Sequence, residues 1–484
     1  MALDRDTLFI GGRWARPATD AVLEVVSPHS EQVVARVPEG SPQDIDAAVA
    51  AARTAFDGGA WPRLSPAERI DVVQAFSGLY AGKLAEMAEL ITTEMGSTIS
   101  FSNLGQAPAA WMQIEAFLGI ARQFGWEESR PGVLGAPVVV RHEPVGVVAA
   151  IAPWNVPQFT IMSKLVPALL AGCTVVVKPA PETPLDGYLL AETLDEAGVP
   201  AGVVSIVAGG REVGEYLVRH SGIDKVAFTG STAAGRRIGA ICGEQLKRVS
   251  LELGGKSAAI VLDDADPGSV IEAIKFIGLM NSGQACVAQT RILVSRDRHD
   301  EFADALASAV AAMVVGDPAQ SRTEIGPMVA RRQQERVQRY IGLGQQEGAR
   351  LLTGGTGRPD GLDAGWYVRP TVFAEVDNRM RIAQEEIFGP VLSVIPYDDV
   401  DDAVRIANDS DYGLAGTVWT ADQEAGLRVA RRVRTGTYGV NTYTMDFAGP
   451  FGGYKSSGIG REFGSEGLAQ YCELKSVYLP PPSA

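Results

Sequence analysis

Apolar and polar positions change rhythm several times along the chain. Over residues 8–37, short apolar runs are broken by Gly11-Gly12 and Ser27-Pro28, which predicts short strands. Ser41-Pro42 then opens an alanine-rich helix up to Phe56, with Ser41 as N-cap and Pro42 in the first turn. Ser65-Pro66 repeats that logic before residues 67–95, one long amphipathic pattern with Gly78 and Gly82 as weak points. Residues 111–124 predict another helix. The pattern then changes. Val138, Val139 and Val140 stand between turn residues and predict a strand leaving the main body; residues 473–479 predict a second one.

From Gly146 the rhythm becomes strand, turn, helix. Residues 147–152, 174–178, 203–207 and 225–229 read as buried strands, and 162–170, 189–197 and 213–219 as the helices between them. Short parallel strands joined by helices form a doubly wound sheet with its ligand at the carboxyl ends of the strands. After Gly254-Gly255 the alternation resumes, with strands at 258–262, 291–294, 391–395 and 417–419. Helices are expected at 300–313, 330–347, 400–408 and 423–433. The expected fold class is α/β, with two lobes hinged near Gly254.

Composition narrows the function. A formal net charge of −15 disfavours general electrostatic binding to nucleic acid or an anionic membrane. No apolar run reaches about 18 residues, and MALDRDTLFIGG has no apolar signal region, so a cytoplasmic protein without a membrane span is expected. Cys173, Cys242, Cys286 and Cys472 form no CxxC pair, which points to reduced thiols and no structural zinc.

The candidate chemistry starts at Cys286, in NSGQACVAQTR (281–291). Small and polar neighbours leave room for a ligand to reach the sulfur, where a packing cysteine has bulky apolar ones. In FTGSTAAGRRIG (228–239), Gly230, Ser231 and Gly235 open a helix whose N–H groups suit a pyrophosphate, but the spacing is not GxGxxG. A plain serine cap explains it equally well. Lys178 ends a buried strand and precedes a loop stiffened by three prolines; it points at a phosphate or ribose, or snorkels to the surface. Glu252, between two leucines, is either a desolvated general base or a structural partner of Lys178 or Lys256. Asn155 is a donor for an oxyanion or a turn residue. Glu386 suits ribose hydroxyls and Phe388 a nicotinamide wall; the alternative is a helix end with solvated acids. The Gly-rich residues 450–462 lack GxxxxGK[ST] and read as a pocket-lining loop.

Taken together, PWN at 153–155, KP at 178–179, FTGS at 228–231, LELGGKS at 251–257, GQAC at 283–286, EEIFGPV at 385–391 and PFGGYKSSG at 450–458 occur in an order that resembles the aldehyde dehydrogenase superfamily of NAD(P)-dependent enzymes. The resemblance implies a Rossmann-like cofactor domain (1–125 and 145–253), a second α/β catalytic domain (254–455) and a small β oligomerisation extension (126–144 and 470–484). It implies a homodimer or homotetramer. Cys286 then matches the catalytic thiol, Asn155 with the Cys286 N–H the oxyanion site, and Glu252 the base that hydrolyses the thioester. Trp154, Lys178, Gly209, Gly214, Gly230, Ser231, Leu253, Glu386 and Phe388 match cofactor positions, and Glu462 a proton-relaying acid. Val156, Thr160, Ser163, Met445 and Phe451 match the aldehyde tunnel. With no lysine or arginine among them, they suit an apolar aliphatic, terpenoid or aromatic aldehyde.

One position departs from the family. Its KPxE acid is Pro181 here, and Glu182 follows one residue late. NAD is expected, since no lysine or arginine stands beside Pro181, with NADP tolerated. The rival readings are a CoA-acylating semialdehyde dehydrogenase, which usually lacks the Glu252-type base, and a non-catalytic binding protein on the same fold.

Overall fold

The computed structural model describes residues 3–480. The ends of the expected first domain and extension, residues 1–2 and 481–484, lie outside the described residues.

The first sheet is built on five parallel strands in spatial order Arg248–Glu252, Lys225–Thr229, Val147–Ile151, Thr174–Lys178 and Val204–Ile206. The chain enters at Val147–Ile151 and builds outwards on one side, then returns to build on the other. The switch point therefore lies between Val147–Ile151 and Lys225–Thr229, where a doubly wound sheet opens its ligand crevice. Val147–Ile151 and Thr174–Lys178 are buried throughout, as their unbroken apolar runs require.

The second sheet has seven strands, with Gln289–Ser295 and Ser257–Val261 near its centre. The two sheets join in a way that matters for chemistry. Arg248–Glu252 ends the first, and four residues later Ser257–Val261 begins the second. The carboxyl edge of one sheet thus meets the amino edge of the other at Gly254-Gly255.

Strands Val138–Pro144 and Cys472–Tyr478 pair antiparallel, with Glu127–Arg130 as the third strand of a separate sheet. The two stray strands expected from the sequence are therefore partners within one chain.

Local signals explain most helix starts. Ser41 Oγ accepts from the Asp44 N–H at 3.3 Å while the Asp44 carboxylate accepts from the Ser41 N–H at 2.9 Å. Ser65 and Glu68 form the same reciprocal cap.

One expectation needs correction, and other elements went unread. The single helix over 67–95 is two, Pro66–Ala81 and Leu84–Met95, broken at Gly82, while Gly78 stays helical. The chain past residue 455 returns to the first sheet before reaching the extension: Gly458–Ile459 pairs antiparallel with Arg248–Glu252. The strand Arg248–Glu252 and the helix Pro267–Leu279 were not expected at all.

Candidate active site

Cys286 lies at the sheet junction. Gly255 lies against it so tightly that a Cβ there would meet the Cys286 carbonyl at 2.4 Å. The preceding turn runs through Asn281, Ser282 and Gly283, all at positive φ (53°, 59° and 72°). A Cβ on Gly283 would meet the Gly389 carbonyl at 2.2 Å, so glycine is required there. Two non-glycine residues in this conformation are strained, and the surrounding bonds hold them. Ser282 Oγ accepts from the Gly326 N–H at 2.9 Å. Gln284 Oε1 accepts from the Val329 N–H at 3.0 Å, and its Nε2 donates to the Asn281 carbonyl at 3.2 Å.

Asn155 belongs to the same frame. It follows the strand at the switch point and is buried. Its Nδ2 donates to the Gln284 carbonyl at 2.9 Å, and its own carbonyl accepts from Asn281 Nδ2 at 2.8 Å. One Asn155 N–H is thereby spent on orientation and the other remains for a ligand. Burial pushes the Cys286 thiol up to about 12, aided by the charges of Glu386 and Glu252, with the N–H groups of Val287 and Cys286 opposing. The resting sulfur is thus a neutral thiol that needs a base.

Glu252 ends its strand, buried, and neither carboxylate oxygen has a hydrogen-bond partner. It pairs with neither Lys178 nor Lys256. Burial raises its carboxyl well above the usual range. The charge of Glu462 adds to this, while Lys164 and Arg461 oppose it. Glu462 accepts from Lys164 Nζ at 2.7 Å, and the same ammonium donates to Thr229 Oγ1 at 2.6 Å and the Thr160 carbonyl at 3.2 Å. Lys164 escaped the sequence reading. It is the only charged residue in Pro157–Ala171, a helix buried almost all round, and a lysine in such a setting must be paired.

The cofactor positions line the crevice. Lys178 Nζ is buried and donates to the carbonyls of Pro179 (2.8 Å) and Gly209 (2.5 Å), and burial draws it down to about 8. It does not snorkel. Gly214 packs on it, since a Cβ there would stand 3.2 Å from Lys178 Cε. Glu386 Oε1 accepts from the Gly255 N–H at 2.9 Å, whereas Glu385 is turned outward to Arg381 and Tyr340. Only one of the two acids faces the cleft. Arg336 donates to the carbonyls of Glu386 and Ile387 and fixes that loop. Phe388 sits at φ 65°, its ring 5.4 Å from that of Trp154 and nearly perpendicular to it (85°). Gly230 donates to the Glu252 carbonyl at 3.0 Å, and Leu253 covers Gly235. Ser231 caps its helix, Oγ accepting from the Ala234 N–H at 3.3 Å, so its hydroxyl is engaged as the bland alternative had it. These residues fit a dinucleotide: glycine floors, a helix start, a strand-end lysine and a cleft-facing carboxylate.

The expected tunnel residues divide. Val156 is half-buried, and Met445 packs with Phe159, Phe447 and Tyr443 against the core that Ala285 and Cys286 also touch. Phe159, Phe447, Phe451 and Phe463 make an aromatic cluster with centroid distances of 5.0 to 6.0 Å. Thr160 and Ser163 are buried, and their hydroxyls donate to carbonyls of their own helix, at Pro157 and Thr160. They back the Lys164–Glu462 pair and present no free hydroxyl.

No basic residue neighbours Pro181 in sequence, but in space Arg332 pairs with Glu182. Among the described residues, no group of His, Cys, Asp and Glu is arranged to hold a metal. No helix there is long and apolar enough to cross a membrane.

A doubly wound sheet, a dinucleotide crevice and a thiol at its mouth define an oxidoreductase. The aldehyde dehydrogenase family model matches residues 14–477. A geranial dehydrogenase from Castellaniella defragrans is 47% identical over 99% of this chain and 100% of its own. A Mycobacterium tuberculosis aldehyde dehydrogenase, solved with NAD+, superposes with a TM-score of 0.98 at 49% identity, covering 100% of both chains. A mutant aldehyde dehydrogenase C from Pseudomonas syringae, solved with NAD+ and octanal, gives a TM-score of 0.95 at 41% identity over 98% of this chain and 96% of its own. The chain belongs to the aldehyde dehydrogenase family.

Proposed function

We propose that this chain oxidises an apolar aldehyde to its carboxylic acid with NAD, through a thiohemiacetal and then a thioester on Cys286. The observation that carries the reading is the unpartnered, buried Glu252 carboxylate beside a neutral thiol. Cys286 Sγ attacks the carbonyl carbon, and Glu252 is the base for the thiol proton. The oxyanion meets the free Asn155 N–H and the Cys286 backbone N–H, both fixed before substrate arrives. NAD, held by Lys178, Glu386 and the glycine floors, supplies the hydride acceptor when bound. Glu252 passes the thiol proton on towards the Lys164–Glu462 pair, then takes a proton from the water that hydrolyses the thioester and returns it to the departing Cys286 thiolate. A Glu252-type base favours hydrolysis over transfer to coenzyme A.

The aromatic cluster and the engaged hydroxyls of Thr160 and Ser163 favour an apolar substrate. Lys164, the cation on their helix, is committed to Glu462. A carboxylated semialdehyde would bury its charge without a partner. The test is an NADH-production panel. Octanal and geranial are expected to exceed succinic semialdehyde in kcat/KM by roughly tenfold or more, with no stimulation by coenzyme A. A clear lead for succinic semialdehyde would reject the substrate class, and stimulation by coenzyme A would reject hydrolysis.

The antiparallel extension supports assembly into a homodimer or homotetramer, because Cys472–Tyr478 is an edge strand with Leu474 and Tyr478 exposed. Sedimentation is expected to return two or four chains; a monomer at working concentration would count against it.

A further inference from the structure

The hairpin of Val22–Val26 and Val33–Pro38 is a two-stranded sheet of its own, rooted in the first lobe, where Val25 and Val37 pack with Leu185 and Tyr188. Its turn reaches the second lobe. The Trp366 N–H donates to the Pro28 carbonyl at 3.0 Å. The Tyr367 hydroxyl donates to the Gly316 carbonyl at 3.0 Å, and His29 Nδ1 stands 2.6 Å from the same hydroxyl oxygen. Glu31 is the centre of this contact. It holds φ 58°, a left-handed conformation that strains a non-glycine residue and persists only where the surroundings impose it. Its side chain is 19% exposed, and its carboxylate takes three donors: Arg331 on Oε2 at 2.8 Å, and Arg358 and the Gly365 N–H on Oε1 at 2.8 and 3.0 Å. An isolated surface ion pair contributes little, but a carboxylate shared by two guanidinium groups and an amide is a network.

Arg331 opens the helix Arg331–Gln346, and two further residues of that helix complete a path to the cofactor crevice. Gln334 Nε2 donates to the Tyr367 carbonyl at 2.8 Å, so hairpin and helix hold the same segment. Arg336 donates to the carbonyls of Glu386 and Ile387. From Arg331 to Arg336 is about 7.5 Å of stiff helix, so a shift at its start reaches the loop that carries Glu386 and Phe388. We propose that Glu31 is a positioning residue for the cofactor: from the first lobe it fixes the start of this helix and, through Arg336, the seat of Glu386 and Phe388 against the nicotinamide half of NAD; this rests on the cofactor reading above. Glu31 acts through Arg331 and Arg336 and not by contact with NAD. Its three donors offset the strain of the turn, and removing the carboxylate frees the helix start and the segment 358–367 together.

Calorimetry on the full chain with NAD and with 5′-AMP, which carries only the adenine half, tests this without turnover. Glu31→Gly keeps the left-handed turn and removes only the side chain. It is expected to weaken NAD about tenfold, the size of one hydrogen bond to a charged group, and to leave AMP unchanged. Glu31→Asp should restore part of the loss. Arg331→Ala, at an exposed position, should shift NAD in the same direction should the glycine variant fold poorly. Arg336→Ala should weaken NAD at least as much, and adding Glu31→Gly to it should cost little more, because both act on one path. Equal losses for NAD and AMP in Glu31→Gly, or additive losses in the double variant, would overturn the positioning role. A loss in Arg336→Ala with none in Glu31→Gly or Arg331→Ala would overturn it alone, whereas unchanged NAD affinity in Arg336→Ala would remove the Glu386–Phe388 loop from the cofactor and this inference with it.

Discussion

Replacing Cys286 with alanine is expected to lower NADH production from every aldehyde by roughly 10⁴-fold or more, because the covalent route is lost and not merely slowed. NAD affinity should survive, since no cofactor position changes. The control lies in the other thiols. Cys173 is fully buried, and its Sγ donates to the Tyr471 carbonyl at 3.4 Å. Cys242 is buried in the packing of the first lobe. Cys173→Ala and Cys242→Ala should therefore cost stability and leave kcat near wild type. In the mechanism proposed above, Cys286 is the thiol at which a carbonyl would meet an oriented amide, a free base and a cofactor wall. Iodoacetamide should silence the wild type by modifying this residue. Turnover that persists in Cys286→Ala, or after full modification at Cys286, would remove the covalent mechanism and leave a binding protein on this fold.

Some of this arrangement was legible in the chain and some was not, for physical reasons. The parallel strands of the first sheet are buried on both faces, so 147–152 and 174–178 stand out as apolar runs. Arg248–Glu252 is exposed at its start and buried at its end, and that mixed pattern hid the strand carrying the proposed base. Cys286 could be read from its small neighbours, but the run of three left-handed residues before it could not, since Asn281 and Gly283 tolerate that conformation and Ser282 gives no sign of it. Glu385 and Glu386 are adjacent and alike in sequence, and backbone direction alone decides which one enters the cleft. Arg332 stands 150 residues from Glu182, beyond any local pattern. Thr160 and Ser163 carry hydroxyls that look available to a ligand. In the helix they turn back to nearby carbonyls, as such residues do.

Glu252→Gln is expected to separate the two halves of the reaction. The first NADH should still form, more slowly, as a burst near one per active subunit, while steady turnover falls by roughly 10²- to 10⁴-fold. The pH dependence follows from burial and from Glu462, which together hold the Glu252 carboxyl above the usual range. A base works ionised, so wild-type hydrolysis should rise with pH through an apparent pKa above that of an ordinary glutamate. The variant should lose that limb. Stability gives an independent sign. Below the unfolded pKa the carboxyl is neutral in both states, and burying it costs little. As pH rises through the window between the unfolded and the raised folded value, the unfolded chain ionises first and native stability falls. Above that window Glu252→Gln should therefore melt higher than wild type, and below it no higher. A structural glutamate held in an ion pair would behave oppositely, its removal destabilising the protein at neutral pH. A variant that is both slower and less stable above the window would reassign Glu252 from base to brace.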